Sequence, residues 1–250
     1  MTDLIDLLES RSGIVCAVGA GGKKSTLYAL AAAHAGRVAF TTTVHTLPPP
    51  DDLFPVRVLE PPDALPEALG ALRDALRVAY ACPGDKPGRW AGVPPELLVR
   101  LHEEARFALT LVKADGARMR WVKAPAADEP VVPPGTHTLI PVLSARALGE
   151  PLAERIAHHP RRVAERIGIA PGAPLDPLAA ARLLAGTDGL LKGAGTAHVV
   201  PVINMVDDPE RERLARETAE AALGLTSRFE RVILARMQRR DDPVVAVVRR

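Results

Sequence analysis

Two lysines, a serine and a threonine follow closely spaced glycines in the run Gly19-Ala-Gly-Gly-Lys-Lys-Ser-Thr26, and an apolar stretch, Ile14 to Val18, precedes them. These residue types in this order suit a phosphate anion. Glycines let backbone N–H groups close on phosphate oxygens, and a following helix turns its positive N-terminal end towards the anion. A lysine adds charge, and a hydroxyl reaches Mg²⁺. The usual pattern, G-x-x-x-x-G-K-[ST], has glycine before the lysine and a hydroxyl after it. Here Lys23 has the glycine, Gly22, and Lys24 has the hydroxyl, Ser25. The lysine–hydroxyl adjacency favours Lys24 with Ser25 as the working pair, with Lys23 as a second cation. Gly19, Ala20, Gly21, Gly22 and Thr26 complete the expected cradle. The bland alternative is a glycine turn into a helix whose lysines are merely solvated.

Three other stretches offer partners for such a loop. Phe107-Ala-Leu-Thr-Leu-Val-Lys-Ala-Asp-Gly116 reads as a strand ending in a carboxylate. Asp115 at that tip, with Ser25, is expected to complete an oxygen shell for Mg²⁺. Lys24, Lys23 and Asp115 are then the expected catalytic set. Thr41, Thr42 and Thr43 end another apolar run, where a hydroxyl such as that of Thr42 could meet the metal or the last phosphate; equally, β-branched threonines simply suit a strand. Asn204-x-x-Asp207 ends a third run with the spacing of the guanine-reading N-K-x-D motif. A carboxylate there accepts the purine N1 and N2 donors, although Asn and Asp are also ordinary turn residues.

These residues need strands and helices that bring their tips together. Thr2 to Glu9 predicts a short amphipathic helix with a hydroxyl cap. Ile14–Val18 predicts a buried strand, Leu27–His34 the helix after the loop, and Arg37–Val44 a second, parallel strand joined by a right-handed crossover. Val56–Leu59 and Val78–Ala81 read as strands around a helix over 62–76. Cys82–Pro95 reads as a long irregular connection and Pro95–Arg106 as a helix. His137–Leu143 reads as a strand, Leu148–Gly168 as helical in spacing, and Asp176–Leu184 as a capped helix. A strand over 198–207, a charged helix to Leu223 and a strand over Arg231–Ala235 close the order. His158 and His159, adjacent on a helix, would point apart. Strands alternating with helices predict an α/β fold: a three-layer α/β/α domain of the phosphate-loop (P-loop) NTPase type with a mainly parallel sheet. One domain is expected over residues 1–250, with a helical insertion around 145–196.

Composition narrows the function. A formal net charge of +2 argues against a nucleic-acid or membrane-surface role. Aromatics at 3% leave little for stacking bases. The 24 prolines are about twice average usage and imply stiff connections. Two cysteines, Cys16 and Cys82, make neither a disulfide framework nor a zinc site. An acidic start without a signal pattern and the lack of a membrane-length apolar run predict a cytoplasmic protein.

Taken together, Val18-Gly-Ala-Gly-Gly-Lys23, Thr41-Thr-Thr43, Ala114-Asp-Gly116, Lys123-Ala-Pro125, Glu129-Pro-Val-Val-Pro133, Leu191-Lys-Gly193 and Asn204-x-x-Asp207 resemble the YqeC-type family of selenium-dependent molybdenum hydroxylase accessory proteins. The resemblance implies a P-loop NTPase-like fold and a role in maturing or supplying a molybdenum hydroxylase. This chain departs from the family pattern at three places. Gly22-Lys-Lys-Ser-Thr26 stands for Gly-Gly-Lys-Thr-Thr, Lys113 stands where glutamate is expected, and Met205 stands for the lysine of the Asn-Lys-x-Asp run.

The expectation is therefore a Mg²⁺-dependent protein that binds and slowly hydrolyses GTP or ATP, its partner a molybdenum hydroxylase or the machinery that matures one. A small-molecule kinase or nucleotidyltransferase is the first alternative, with substrate held by Arg118, Arg120 and Lys123. The second is a non-catalytic nucleotide- or cofactor-binding chaperone.

Overall fold

The computed structural model describes residues 3–170 and 172–250. The elements follow in chain order. Helix α1 (Leu4–Leu7) is followed by β1 (Gly13–Gly19), α2 (Lys23–Ala33), β2 (Val38–Thr42) and β3 (Val56–Leu59). Then come α3 (Leu65–Gly70), β4 (Arg77–Pro83), β5 (Trp90–Ala91), α4 (Leu97–Glu104), β6 (Leu109–Lys113), β7 (Val122–Lys123) and β8 (Thr136–Ser144). The chain continues through β9 (Ala157–His158), α5 (Pro160–Ile167), α6 (Pro177–Ala185), β10 (His198–Val199) and β11 (Val202–Asn204). It closes with α7 (Pro209–Leu225), β12 (Arg231–Ala235) and β13 (Val244–Arg249).

The main sheet runs β13-β12-β11-β8-β1-β6-β2-β4-β3. Neighbours are parallel from β12 to β3, while β13 and the short β5 pair antiparallel at β12 and β4. Strands buried on both faces read as continuous apolar runs, which is why Ile14–Val18 and Arg231–Ala235 were legible. One face carries α1 and α2 over Val15, Ala17, Phe40, Leu111 and Val142. The other carries α3 to α7 over Cys16, Val18, Tyr80, Val112 and Leu143. The fold is thus a mainly parallel α/β sheet between helical layers. Among the described residues no helix is long and apolar enough to cross a membrane.

Local chemistry sets several boundaries. The hydroxyl cap expected at Thr2 lies outside the described residues; Asp3 caps α1, its carboxylate accepting from the Ile5 N–H at 3.1 Å. Asp176 and Asp208 cap α6 and α7 ahead of Pro177 and Pro209, each cap worth about 1 kcal/mol. The helical pattern over 148–168 survives only as α5. Pro160 cannot sit inside a helix, so it starts one instead, behind a left-handed His159. His158 lies on β9, and the two imidazoles come to 4.1 Å between centroids rather than pointing apart. Segment 145–196 adds Leu152, Ile156, Val163 and Leu183 to the main core.

Because β1, β2, β6, β8 and β11 are parallel, the loops after them open on one edge of the sheet. The chain turns to opposite sides of β1, with β6 and β2 on one flank and β8 and β11 on the other. Ligands of open parallel sheets bind at such a switch point, outside the carboxyl ends of the strands.

Candidate functional site

At the switch point the loop between β1 and α2 makes a tight, crowded turn. Gly19, Gly21 and Gly22 all take positive φ, 90°, 81° and 137°. A Cβ on Gly22 would stand 2.0 Å from the Asn204 amide nitrogen, and one on Gly21 would stand 2.4 Å from Ser144 Cβ. Only glycine fits either position. Asn204 ties this turn down: its Nδ2 donates to Gly21 O at 3.0 Å, and its Oδ1 accepts from Met237 N at 2.9 Å. The segment after Asp115 leans on the loop from the other side, since Gly21 N donates to Arg120 O at 3.1 Å. Ala20 N donates to Val142 O at 2.9 Å. Helix α2 then starts at Lys23 with no side-chain cap. Its first-turn N–H groups have no intrahelical acceptor and face the open edge.

The two lysines separate. Lys23 folds inward, donating to Gly19 O and standing 2.9 Å from Asp115 Oδ1, an ion pair without hydrogen-bond alignment. Burial lowers its pKa, and the Asp115 charge works against that fall. Lys24 stays half-buried, its ammonium 6.0 Å from the Tyr28 ring. Tyr28 in turn packs on Phe40 and Phe54, with centroids 5.3 and 6.2 Å apart, so Lys24 lies on the β2 side of the loop. The sequence reading preferred Lys24 with Ser25. The geometry favours Lys23, because helix α2 begins at Lys23 and directs that side chain, not its neighbour, to the carboxylate.

Asp115 is heavily engaged. Its Oδ2 accepts from Gly19 N at 2.9 Å and lies 3.3 Å from Lys123 Nζ. Lys123, fully buried on β7, also donates to Gly116 O at 2.7 Å and to Glu129 Oε2 at 2.6 Å. Burial pushes the Glu129 carboxyl up, but the Lys123 hydrogen bond and charge outweigh it and leave the group below its ordinary value. Lys192 holds the 126–127 turn in place through both carbonyls, at 2.6 and 2.7 Å. Lys123 is thus part of a buried charge network, whereas the kinase or nucleotidyltransferase alternative had it hold substrate with Arg118 and Arg120. Arg118 and Arg120 border the loop as surface groups.

Lys113, at the tip of β6, completes the cluster. It is 8% exposed and, among the described residues, donates only to His45 O, at 3.2 Å. Burial, then repulsion from Lys23, Lys24 and Lys123, partly offset by Asp115, brings its pKa down to about 7. With every group ionised, Lys23, Lys24, Lys113 and Lys123 face Asp115 and Glu129, an excess of two positive charges. The sequence carried the signal, an ammonium at the end of an apolar strand, but only as a departure from a pattern.

A divalent cation does not fit these residues. Mg²⁺ takes oxygen ligands in a near-octahedral shell, yet the single carboxylate at the loop is shared by two ammonium groups. With Lys23 as the loop lysine, the next position holds Lys24 where a hydroxyl is needed; Ser25 is one residue further round the helix. Thr42, expected to offer a hydroxyl, has Val44 O at 2.7 Å and Lys113 O at 2.9 Å from its Oγ1, both acceptors for its one proton. Thr43 is committed to Val131 O, at 2.7 Å, and Thr41 is buried. Among the described residues no group of three or more His, Cys, Asp or Glu converges as a metal site.

The base-reading pair is divided. Asn204 is buried and works on the loop itself, as described. Asp207 is at the surface, paired with Arg146 at 2.7 Å, and Met205, with φ 61°, rests its sulfur on Ser144 Oγ at 3.1 Å. Thr26 is also structural: its hydroxyl donates to Gly22 O at 3.1 Å.

Comparison with known proteins agrees with this assembly of motifs. The profile of the family described as YqeC protein matches residues 15–161, which hold most of β1, the glycine loop, β6 and the Lys123–Glu129 segment. A protein of Escherichia coli (strain K12) described as "Uncharacterized protein YqeC" is 31% identical over 176 residues, 69% of this chain and 68% of that protein. The chain belongs to the YqeC family.

Proposed function

We propose that this protein binds a nucleoside triphosphate, GTP or ATP, with its phosphates on the backbone N–H groups of residues 22–25, where the glycine loop enters the first turn of α2. The observation that carries the reading is the Lys23–Asp115 ion pair at the tip of β1, with Lys123 as a second cation on the same carboxylate. A lysine that leaves a buried carboxylate normally strands a charge. Here Lys123 and the Gly19 N–H stay on Asp115, so Lys23 is free to turn to a phosphate. Excess positive charge, glycine-lined backbone and an uncapped helix start favour the same anion.

Slow hydrolysis is the reading we attach to this binding, with positioning and charge stabilisation by the lysines as its means. A use in maturing a molybdenum hydroxylase rests on the sequence resemblance and is tested by co-purification with such an enzyme. For the base, Asp207 favours guanine if Arg146 yields it, a charge-assisted pairing worth about tenfold to a hundredfold in affinity.

The test is thermal denaturation with GTP and with ATP. A ligand that binds only the native state raises the melting temperature. Lys23→Ala is expected to remove most of that rise, Lys24→Ala less. Asp207→Ala is expected to level the GTP and ATP responses. No rise with either nucleotide sinks the phosphate-loop reading.

A further inference from the structure

We propose that the loop takes its polyphosphate free of divalent metal, the ammonium groups of Lys24 and Lys113 standing where a P-loop protein carries Mg²⁺. The inference rests on the phosphate-loop reading above and goes beyond it by naming the ionic form of the ligand.

Three observations converge. First, the position after the loop lysine, which holds the metal-binding hydroxyl in G-x-x-x-x-G-K-[ST], is Lys24. Second, Lys113 projects from β6 on the same face as Leu109 and Leu111, the face that α2 covers, and ends at His45 O just beyond β2. Lys24 lies on that same β2 side of the loop, against Tyr28. The two ammonium groups are near enough to repel each other. Third, Asp115, the carboxylate that would draw a cation, keeps Lys123 and the Gly19 N–H on its Oδ2 when Lys23 turns to a phosphate.

Two univalent ammonium groups carry the charge of one divalent ion. Placed beside the β- and γ-phosphates they neutralise the same oxygens, through N–H donors in place of a coordination shell. A Mg²⁺ ion arriving with the nucleotide meets like charge on that flank. The buried Lys113 has one carbonyl as its only polar partner among the described residues, so an anion supplies the counter-charge it lacks.

The experiment is isothermal titration of GTP and ATP into the purified full chain, in excess EDTA and in excess Mg²⁺. The inference expects binding in EDTA at least as tight as in Mg²⁺. It also expects Lys24→Thr to weaken binding in EDTA by about tenfold to a hundredfold, the range of one charge-assisted hydrogen bond. Added Mg²⁺ should restore part of that loss, since the hydroxyl returns. Wild-type binding tenfold or more weaker in EDTA overturns the inference and leaves the phosphate-loop reading standing. Binding absent under both conditions overturns both. Lys24→Thr binding like wild type in EDTA removes Lys24 from the role and overturns the inference as stated. The wild-type comparison needs no variant, so a folding defect in Lys24→Thr leaves the test decisive.

Discussion

Replacing Lys123 with methionine removes one ammonium from a network that spans three segments. The side chain is fully buried and serves Asp115 at 3.3 Å, Glu129 at 2.6 Å and Gly116 O at 2.7 Å. Breaking a buried ion pair by deleting one partner usually costs about 3–5 kcal/mol, because the other charge is left uncompensated. Two features place this case at the low end. Asp115 keeps Lys23 and the Gly19 N–H, and Glu129 is partly open to solvent. Methionine also refills most of the lysine stem's volume. The expected loss is therefore about 3 kcal/mol, which for a chain of this size lowers the melting temperature by roughly 6–12 °C. Urea denaturation followed by circular dichroism reads the loss directly. A second consequence belongs to the ligand. In Lys123→Met the departure of Lys23 strands Asp115, so the nucleotide-induced rise in melting temperature should shrink as well. A change within about 0.5 kcal/mol, the scatter of ordinary surface substitutions, refutes the claim that this network holds the loop.

Asn204→Ala removes the acceptor of Met237 N and the donor to Gly21 O; one orphaned buried N–H alone costs about 1–3 kcal/mol, read as a lower urea midpoint. Lys113, held at about 7, binds its proton more weakly in the native state than in the unfolded chain. Between pH 7 and the usual lysine range near 10 the unfolded state therefore carries more protons, and stability climbs with pH. Lys113→Met should flatten that climb and leave the unliganded protein no less stable at pH 7; an unchanged slope contradicts the assignment. Burial pushes the Cys16 thiol up to about 12, so at pH 8 about one thiol in ten thousand is ionised. Native protein should leave Cys16 unlabelled by a thiol reagent that labels it fully in denaturant; rapid native labelling would contradict its burial.

Elements with one strong cue were legible in the sequence. The apolar run of β1, the glycines after it and the helix beyond announced a strand, a tight turn and a helix, and Arg231–Ala235 matched β12 residue for residue. Asp115 reached β1 because parallel neighbours align their tips, which the motif order already implied. The lysine register was read differently because sequence adjacency of Lys24 and Ser25 says nothing of direction. On a helix, successive side chains diverge by about a third of a turn, and only the start of α2 decides that Lys23 faces Asp115. The buried pairing of Lys123 with Asp115 and Glu129 escaped because Lys123 sits on β7, a two-residue strand with no periodicity to detect. The pattern over 148–168 misled because apolar spacing cannot report the break that Pro160 imposes. The Thr42 and Thr43 hydroxyls looked available until the carbonyls of Lys113, Val44 and Val131 came into reach, and Thr41 is out of reach through burial.

The account turns on Lys23 changing partners, and one measurement sees that directly: a crystal structure of the chain with a non-hydrolysable GTP analogue. The account predicts phosphate oxygens on the backbone N–H groups of residues 22–25. Lys23 Nζ should have moved from Asp115 to a phosphate, with Asp115 still held by Lys123 and the Gly19 N–H. An analogue bound elsewhere, or Lys23 still paired with Asp115 beneath bound phosphates, would contradict it.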